Sequence, residues 1–323
     1  GWHFINNPNP PIPTVGPAIV VKPVEITGPL HEIWPPEGHR LLYGDLTEIA
    51  PATEIAKTAQ VPDSILRPVR GYRHLQDPVT VRLPPEKPES VVRETLTRFV
   101  SRAFRRPAAA EEIELYASMV QERLAKGECP EVAFNAAHRA VLCSPDFLFL
   151  VEQGQNLNNH ELASRLSYFL TRSAPDAELR QVADSGELTR PEILRRETDR
   201  LISSPRFESF VRDFLSQWLN LREINATTPD RDLFPEYFEG IHDGRQDVLL
   251  HDSIVNETHA FFRDLVERDQ SPAMLVSAPY AFLNQRLAEH YELPPVEGAS
   301  LRKVDLPADS VRGGLLTQAS ILK

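Results

Sequence analysis

The sequence predicts a mainly α protein, a helical array preceded by a proline-rich segment carrying one or two short strands. Three observations carry that prediction. Of the 29 prolines, 16 precede residue 89, and proline fixes φ and removes a backbone donor, which keeps that stretch out of helix. From Pro88 onward apolar residues recur with a period of 3.6, the signature of amphipathic helices. Apolar residues make up 41% and charged residues 25% of the 323 positions, a composition that builds a packed core and lies outside the disordered range.

In the first stretch, Pro8, Pro10, Pro11, Pro13 and Pro17 impose extended chain. Ala18 to Thr27 reads as one strand, with Pro23 marking an edge or a bulge. A single strand cannot bury itself, so it pairs either with the 79–83 stretch or with a sheet contributed from elsewhere. Trp34 to Arg40 reads as rigid irregular chain. Helices then follow in order. Val92, Leu96, Phe99, Val100 and Phe104 form one stripe, closed by Arg105, Arg106 and Pro107. A second helix spans 110–126, stopped by Gly127, and a third spans 130–142, ended by Ser144-Pro145. After a linker at 153–159, Leu162, Leu166, Phe169 and Leu170 mark a fourth helix. Asp176 and the Thr189-Arg-Pro-Glu192 capping box open two more. The strongest amphipathic signal is Phe207, Phe210, Val211, Phe214, Leu215, Trp218 and Leu219. An aromatic stripe at that spacing reads as core rather than as a cofactor cradle, so Phe99, Leu166, Phe210, Phe214 and Trp218 are expected to be buried. A long helix at 243–268 and a short one at 284–291 complete the set. The expected division is a segment at 1–85, a three-helix module at 86–152 and a larger helical module at 153–323. The last is expected to be truncated, because the chain stops within an apolar run that reads as the start of a helix.

Composition also bears on function. A formal charge of −11 and a pI near 5.5 argue against a general nucleic-acid binder. No run approaches the roughly 18 uninterrupted apolar residues of a membrane span. Cys129 and Cys143 are the only cysteines, so no Cys-x-x-Cys-His haem attachment motif and no cysteine-rich zinc site is present. With a helix between them they lie about 21 Å apart and do not pair, and both are expected to be buried.

No Walker loop, dinucleotide glycine pattern, Gly-x-Ser-x-Gly or His-Glu-x-x-His occurs, and no catalytic residue is identified. Asp243, Asp247 and His251 stand at i, i+4 and i+8, with His259 further along. That ladder would hold a metal if a second element supplied more ligands; without one it is a solvated face with an Asp–His pair across a turn. Residues 223–269 hold twelve acids against four arginines, a concentration suited to steering a basic electron carrier or simply to solubility. Arg98, Arg102, Arg105 and Arg106 form the opposite patch, at a helix end where cations suit the dipole.

Several stretches taken together resemble a known family. They are Arg102-Ala-Phe-Arg-Arg-Pro107 with Ser144-Pro-Asp-Phe-Leu-Phe149, Glu161-Leu-Ala-Ser-Arg-Leu-Ser-Tyr-Phe-Leu170 with Pro175-Asp-Ala-Glu-Leu179, and Gln217-Trp-Leu-Asn-Leu221. Phe282-Leu-Asn-Gln-Arg-Leu287, His290-Tyr291 and Gly313-Gly-Leu-Leu-Thr-Gln-Ala-Ser320 follow in the same order. Over roughly residues 86 to 323 the chain resembles the planctomycete-type family of large secreted proteins, in which helical domains of unknown function are combined with c-type cytochrome domains. The resemblance implies an extracytoplasmic setting, periplasmic or secreted, with haem c in parts of the full-length protein other than this chain. His39 and His290 fall in or near the resembling stretches and are its candidate contacts to haem. The function expected is a structural or docking module whose partners are other domains of the same protein, a haem-bearing segment among them. The alternatives are a redox enzyme acting on an extracellular substrate such as polysaccharide, and a carbohydrate-binding or surface scaffold module.

Overall fold

The computed structural model describes residues 36–322 apart from 45, 47–48, 63–64, 66–78, 85, 153, 225, 227 and 239–246. The strand expected at 18–27 lies outside the described residues. The described chain is mainly α-helical with a few short strands.

The first core gathers α1 (Glu37–Tyr43), β1 (Ile49–Pro51), α2 (Ala52–Ile55), β2 (Val79–Val81), α3 (Pro88–Phe104), α4 (Ala110–Ala125), α5 (Pro130–Leu142) and the single turn α6 (Pro145–Leu148). Proline opens α3, α5 and α6 in the first turn, where a missing N–H costs nothing. The Glu112 carboxylate reaches back 2.7 Å to the Ala109 N–H and closes the first turn of α4. Leu96, Val100, Val120, Ala133, Phe134 and Val141 are fully buried between α3, α4 and α5. Burying each large side chain is worth about 2 kcal/mol, which is what holds three helices of modest propensity together.

Here the structure differs from the sequence reading in three places. The chain around His39 is helical, because Pro36 stands as the N-cap, Glu37 suits the first turn, and Tyr43 is drawn into the core. The 79–83 stretch does supply a strand, but its partner is the segment at 49–51, antiparallel with Ile49 opposite Val81. Tyr43, Leu46 and Val81 thereby join the same core as Phe99 and Phe134. Cys129 is buried at the N-cap of α5, whereas Cys143, at its C-cap, is exposed, because the helix end turns outward there.

The second body contains α7 (Asn159–Thr171), α8 (Ala177–Asp184), α9 (Pro191–Ile202), α10 (Glu208–Trp218), α11 (Val248–Glu267), β3 (Tyr280–Leu283), α12 (Gln285–His290), β4 (Arg302–Asp305) and the final turn α13 (Ala319–Leu322). Side chains cap four of these helices: Asn158 with Glu161 on α7, Asp176 on α8, Asp247 on α11 and Asn284 on α12. The expected capping box at Thr189 does not form. A tight turn from Glu187 to Arg190 shifts the N-cap to Arg190, which leaves α9 without a side-chain cap. β3 and β4 pair antiparallel, with Tyr280 opposite Asp305.

Residues 313–320 close this body. Gly313 and Gly314 have positive φ, and a Cβ on Gly313 would stand 2.4 Å from the Ala278 carbonyl oxygen. From there Gln318 and Ser320 hydrogen-bond the buried Thr258 hydroxyl at 2.7 and 2.5 Å. The Ala319 N–H donates to the Tyr291 hydroxyl at 2.8 Å.

One buried side chain joins the two bodies. Arg105, left-handed at the C-cap of α3, donates to the carbonyls of Asp146, Phe147 and Phe149 at 2.5, 3.0 and 2.9 Å. Its guanidinium also lies over the Tyr168 ring of α7. Arg106 beside it pairs with Glu112 and Asp146 at 2.7 and 3.0 Å.

Candidate functional site

The aromatic stripe of α10 and the 3-10 turn Pro205–Phe207 that leads into it splits into two ridges. Phe207, Val211 and Leu215 are fully buried, while Phe210, Phe214 and Trp218, three residues round the helix from them, form a second ridge. A three-residue step turns about 60° back around a helix, so α7 and α11 enclose the first ridge fully and the second only in part. Phe214 is therefore 38% exposed and Trp218 48% exposed, against the expectation of burial, and Phe210 and Leu166 are half-buried. Of the five side chains expected inside, Phe99 is buried as predicted. Phe169, on α7, is 65% exposed and packs on Phe210 with ring centroids 5.2 Å apart.

The rings form a continuous chain. Phe207 stacks on Phe210, Phe210 on Phe214 and Phe214 on Phe262 of α11, at 5.3, 5.4 and 5.4 Å. Trp218 tilts against Phe214 at 5.5 Å. Each such contact adds about 1 kcal/mol beyond area burial, so the exposed members are held in place by the buried ones. Phe169, Phe210, Phe214 and Trp218, together with Tyr168, line a groove of about 620 Å³. Its polar rim is self-contained. Arg172, left-handed at the C-cap of α7, forms an ion pair with Asp213, and Gln217 donates to the same carboxylate at 2.8 Å.

The residues singled out from sequence fall elsewhere. His39 Nε2 lies 2.8 Å from the Leu46 carbonyl oxygen and its ring tilts against Tyr43, which gives it a structural part in α1. His290 ends α12, half-buried, with its ring 5.5 Å from that of Tyr291. Asp243 lies outside the described residues. Asp247 is the N-cap of α11, accepting from Leu250 N, and its other oxygen takes a hydrogen bond from Arg286 at 2.5 Å. His251, one turn on, is half-buried, and His259 is buried. Burial pulls the His259 imidazole below its ordinary range, with Glu208 opposing and Arg212 adding to the shift. No group of three or more His, Cys, Asp or Glu suited to a metal occurs among the described residues.

Part of the acidic stretch at 223–269 is taken up by pairing and burial, while Glu223, Asp230, Asp232, Asp252 and Asp269 are exposed. Asp264 is paired with Arg268 and Lys303, each at 2.7 Å, and Glu267 with Arg263 at 2.7 Å. Glu257 is buried, accepting from the Tyr291 hydroxyl at 2.6 Å, and desolvation pushes its carboxyl up to about 8. Helix periodicity turns part of any acidic run inward, where it must be paired or protonated.

Two family models match the chain. Residues 157–293 match PSD4, a protein of unknown function (DUF1592), and residues 91–152 match PSD5, a protein of unknown function (DUF1595). One span falls in each body of the fold: α1, β1, α2 and β2 lie before the first match, and β4 and residues 313–320 lie beyond the second and complete its core. Both are domains typical of planctomycete-type proteins. No curated protein and no solved structure matches the chain.

Proposed function

We propose that this chain, built from two domains of unknown function, is a non-catalytic docking module whose contact surface is the aromatic groove of α7 and α10. The exposed ring ladder is the observation that carries the reading. Phe169, Phe214 and Trp218 are the residue types that dominate protein interfaces, and contiguous exposed apolar surface of this kind marks an interaction site. The ladder is phenylalanine-rich, and its polar rim is already satisfied by the Arg172–Asp213–Gln217 contacts. Those features suit the apolar face of a protein domain better than a sugar, which needs free hydrogen-bonding groups. In the extracytoplasmic setting that the resemblance implies, the partner is another domain of the same protein, a haem-bearing segment first among them. No described helix is long and apolar enough to cross a membrane.

The test is association of the chain with the haem-bearing part of its own protein, followed by Trp218 fluorescence and calorimetry. Apolar docking is expected to vary little between about 0.05 and about 0.5 M salt, unlike contact between exposed charges. Trp218→Ser is expected to weaken it about tenfold or more, as loss of an aromatic anchor does. Undiminished binding by that variant defeats the reading. Quenching of Trp218 by neutral oligosaccharides without protein binding moves the site to carbohydrate.

A further inference from the structure

A second cavity, of about 490 Å³, lies between the two bodies on the side of α3. Six arginines (40, 98, 102, 105, 106 and 180) line it against two carboxylates, Glu37 and Asp184. Part of the positive charge is offset locally, Arg98 by Glu94 at 3.5 Å among others. Arg106 is neutralised by Glu112 and Asp146, and Arg102 meets Glu37 at 3.3 Å, on a carboxylate that is 82% exposed. Arg40, Arg105 and Arg180 make no ion pair among the described residues. Arg105 spends its hydrogen bonds on neutral carbonyls. Arg180 donates to the Pro175 carbonyl, and burial together with the neighbouring Arg102 pulls its guanidinium below the ordinary arginine range, with Asp176, Asp184 and Glu37 opposing the shift without forming an ion pair. Arg40 carries a buried Nε with no hydrogen-bond partner.

Arg40 is half-buried without an ion pair, which is costly, and its buried donor without an acceptor adds to that cost. Such an arrangement persists where an incoming oxyanion completes it, since guanidinium forks match carboxylate, sulfate and phosphate oxygens in pairs. The cavity is several times larger than an inorganic oxyanion, so it has room for the organic body that bears the group. We propose that the cleft between α1, α3 and α8 binds a small organic molecule carrying an oxyanion, gripped by Arg40, Arg102 and Arg180. His160, 3.7 Å from Asp184 on the same wall, adds a further donor. This site shares no lining residue with the aromatic groove and stands independently of the docking role.

The experiment is calorimetric titration and thermal denaturation of the chain with glucose 6-sulfate, glucose 6-phosphate and glucuronate at low ionic strength. Glucose serves as the neutral control, and inorganic sulfate and phosphate as the bare anions. At least one sugar acid is expected to bind and raise the melting temperature, glucose is expected to do neither, and the rank of the three names the oxyanion. Arg180→Gln is expected to weaken binding at least about tenfold, as loss of a charged anchor does, and to leave the free protein as stable as before or more so. Arg40→Gln repeats the test should the first variant fold poorly. A structural arginine behaves oppositely: its loss lowers the melting temperature of the free protein. That result without a change in binding, or no binding by any sugar acid at millimolar concentration, overturns the proposal, as does binding by the bare anions alone.

Discussion

Glu257 is a carboxyl placed where water does not reach, with the Tyr291 hydroxyl as its hydrogen-bond donor. Its carboxyl lies at about 8 in the folded chain against 4.5 unfolded. The folded state therefore holds more protons between those values, and stability declines as pH rises through that window. Glu257→Gln keeps the shape without the charge. Denaturant melts are expected to show the variant within about 1 kcal/mol of the parent near pH 5 and clearly more stable near pH 9. A parent with a flat alkaline limb would contradict the assignment. His138 slopes the other way. It packs against Phe99 and Phe134 with centroids at 4.3 and 5.9 Å, and burial pulls its imidazole down to about 4 from 6.5. The stability of the first body is lost as pH falls from 6.5 towards about 4, and His138→Leu is expected to flatten that acid limb.

At the scale of elements, α10 separates packing from display. Phe207→Ala removes a fully buried ring and is expected to cost about 4 kcal/mol in urea unfolding. Trp218→Ser, on the exposed ridge, is expected to cost about 1 kcal/mol or less while weakening docking about tenfold or more. Equal losses for the two would mean that the outer ridge is core. The period of α10 was plain in the sequence, as were the limits of α5, because proline and apolar spacing fix both locally. Which ridge would be covered was not, since that depends on how α7 and α11 pack beside it. The same holds for the cationic cleft. Arg40, Arg102 and Arg180 come from α1, α3 and α8, and no local pattern announces that three distant helices share a wall. Asp247 shows the converse: an acid spaced like a metal ligand is taken up as a helix cap and a partner for Arg286.

For the molecule as a whole, Arg105 is the tie. Its three carbonyl acceptors sit in the turn that ends the first body, and Tyr168 belongs to the second. Arg105→Ala strips these acceptors of a charged donor and is expected to cost about 3 kcal/mol. Scanning calorimetry is expected to resolve two transitions in that variant where the parent shows stronger coupling; a single unchanged transition would remove the tie from the argument. Several stretches that carry the family resemblance find their physical reason here. Arg102 to Pro107 and Ser144 to Phe149 are the two halves of this junction, and Gly313 to Ser320 is the clasp over α11.

That clasp gives the chain a direction in time. Gln318 and Ser320 reach Thr258 across 60 and 62 positions, and the Tyr291 hydroxyl waits for Ala319. As the polypeptide leaves the ribosome, the first body has the core formed by its described residues once Phe147 has emerged. The second holds Glu257 and Thr258 without their full surroundings until about the 320th residue appears. Closing a loop of that length is an entropic cost met before any contact rewards it. The first body is therefore expected to fold early and the second to complete itself late, with α11 open to solvent in the interval; protection of α11 amides before residue 320 emerges would contradict this order.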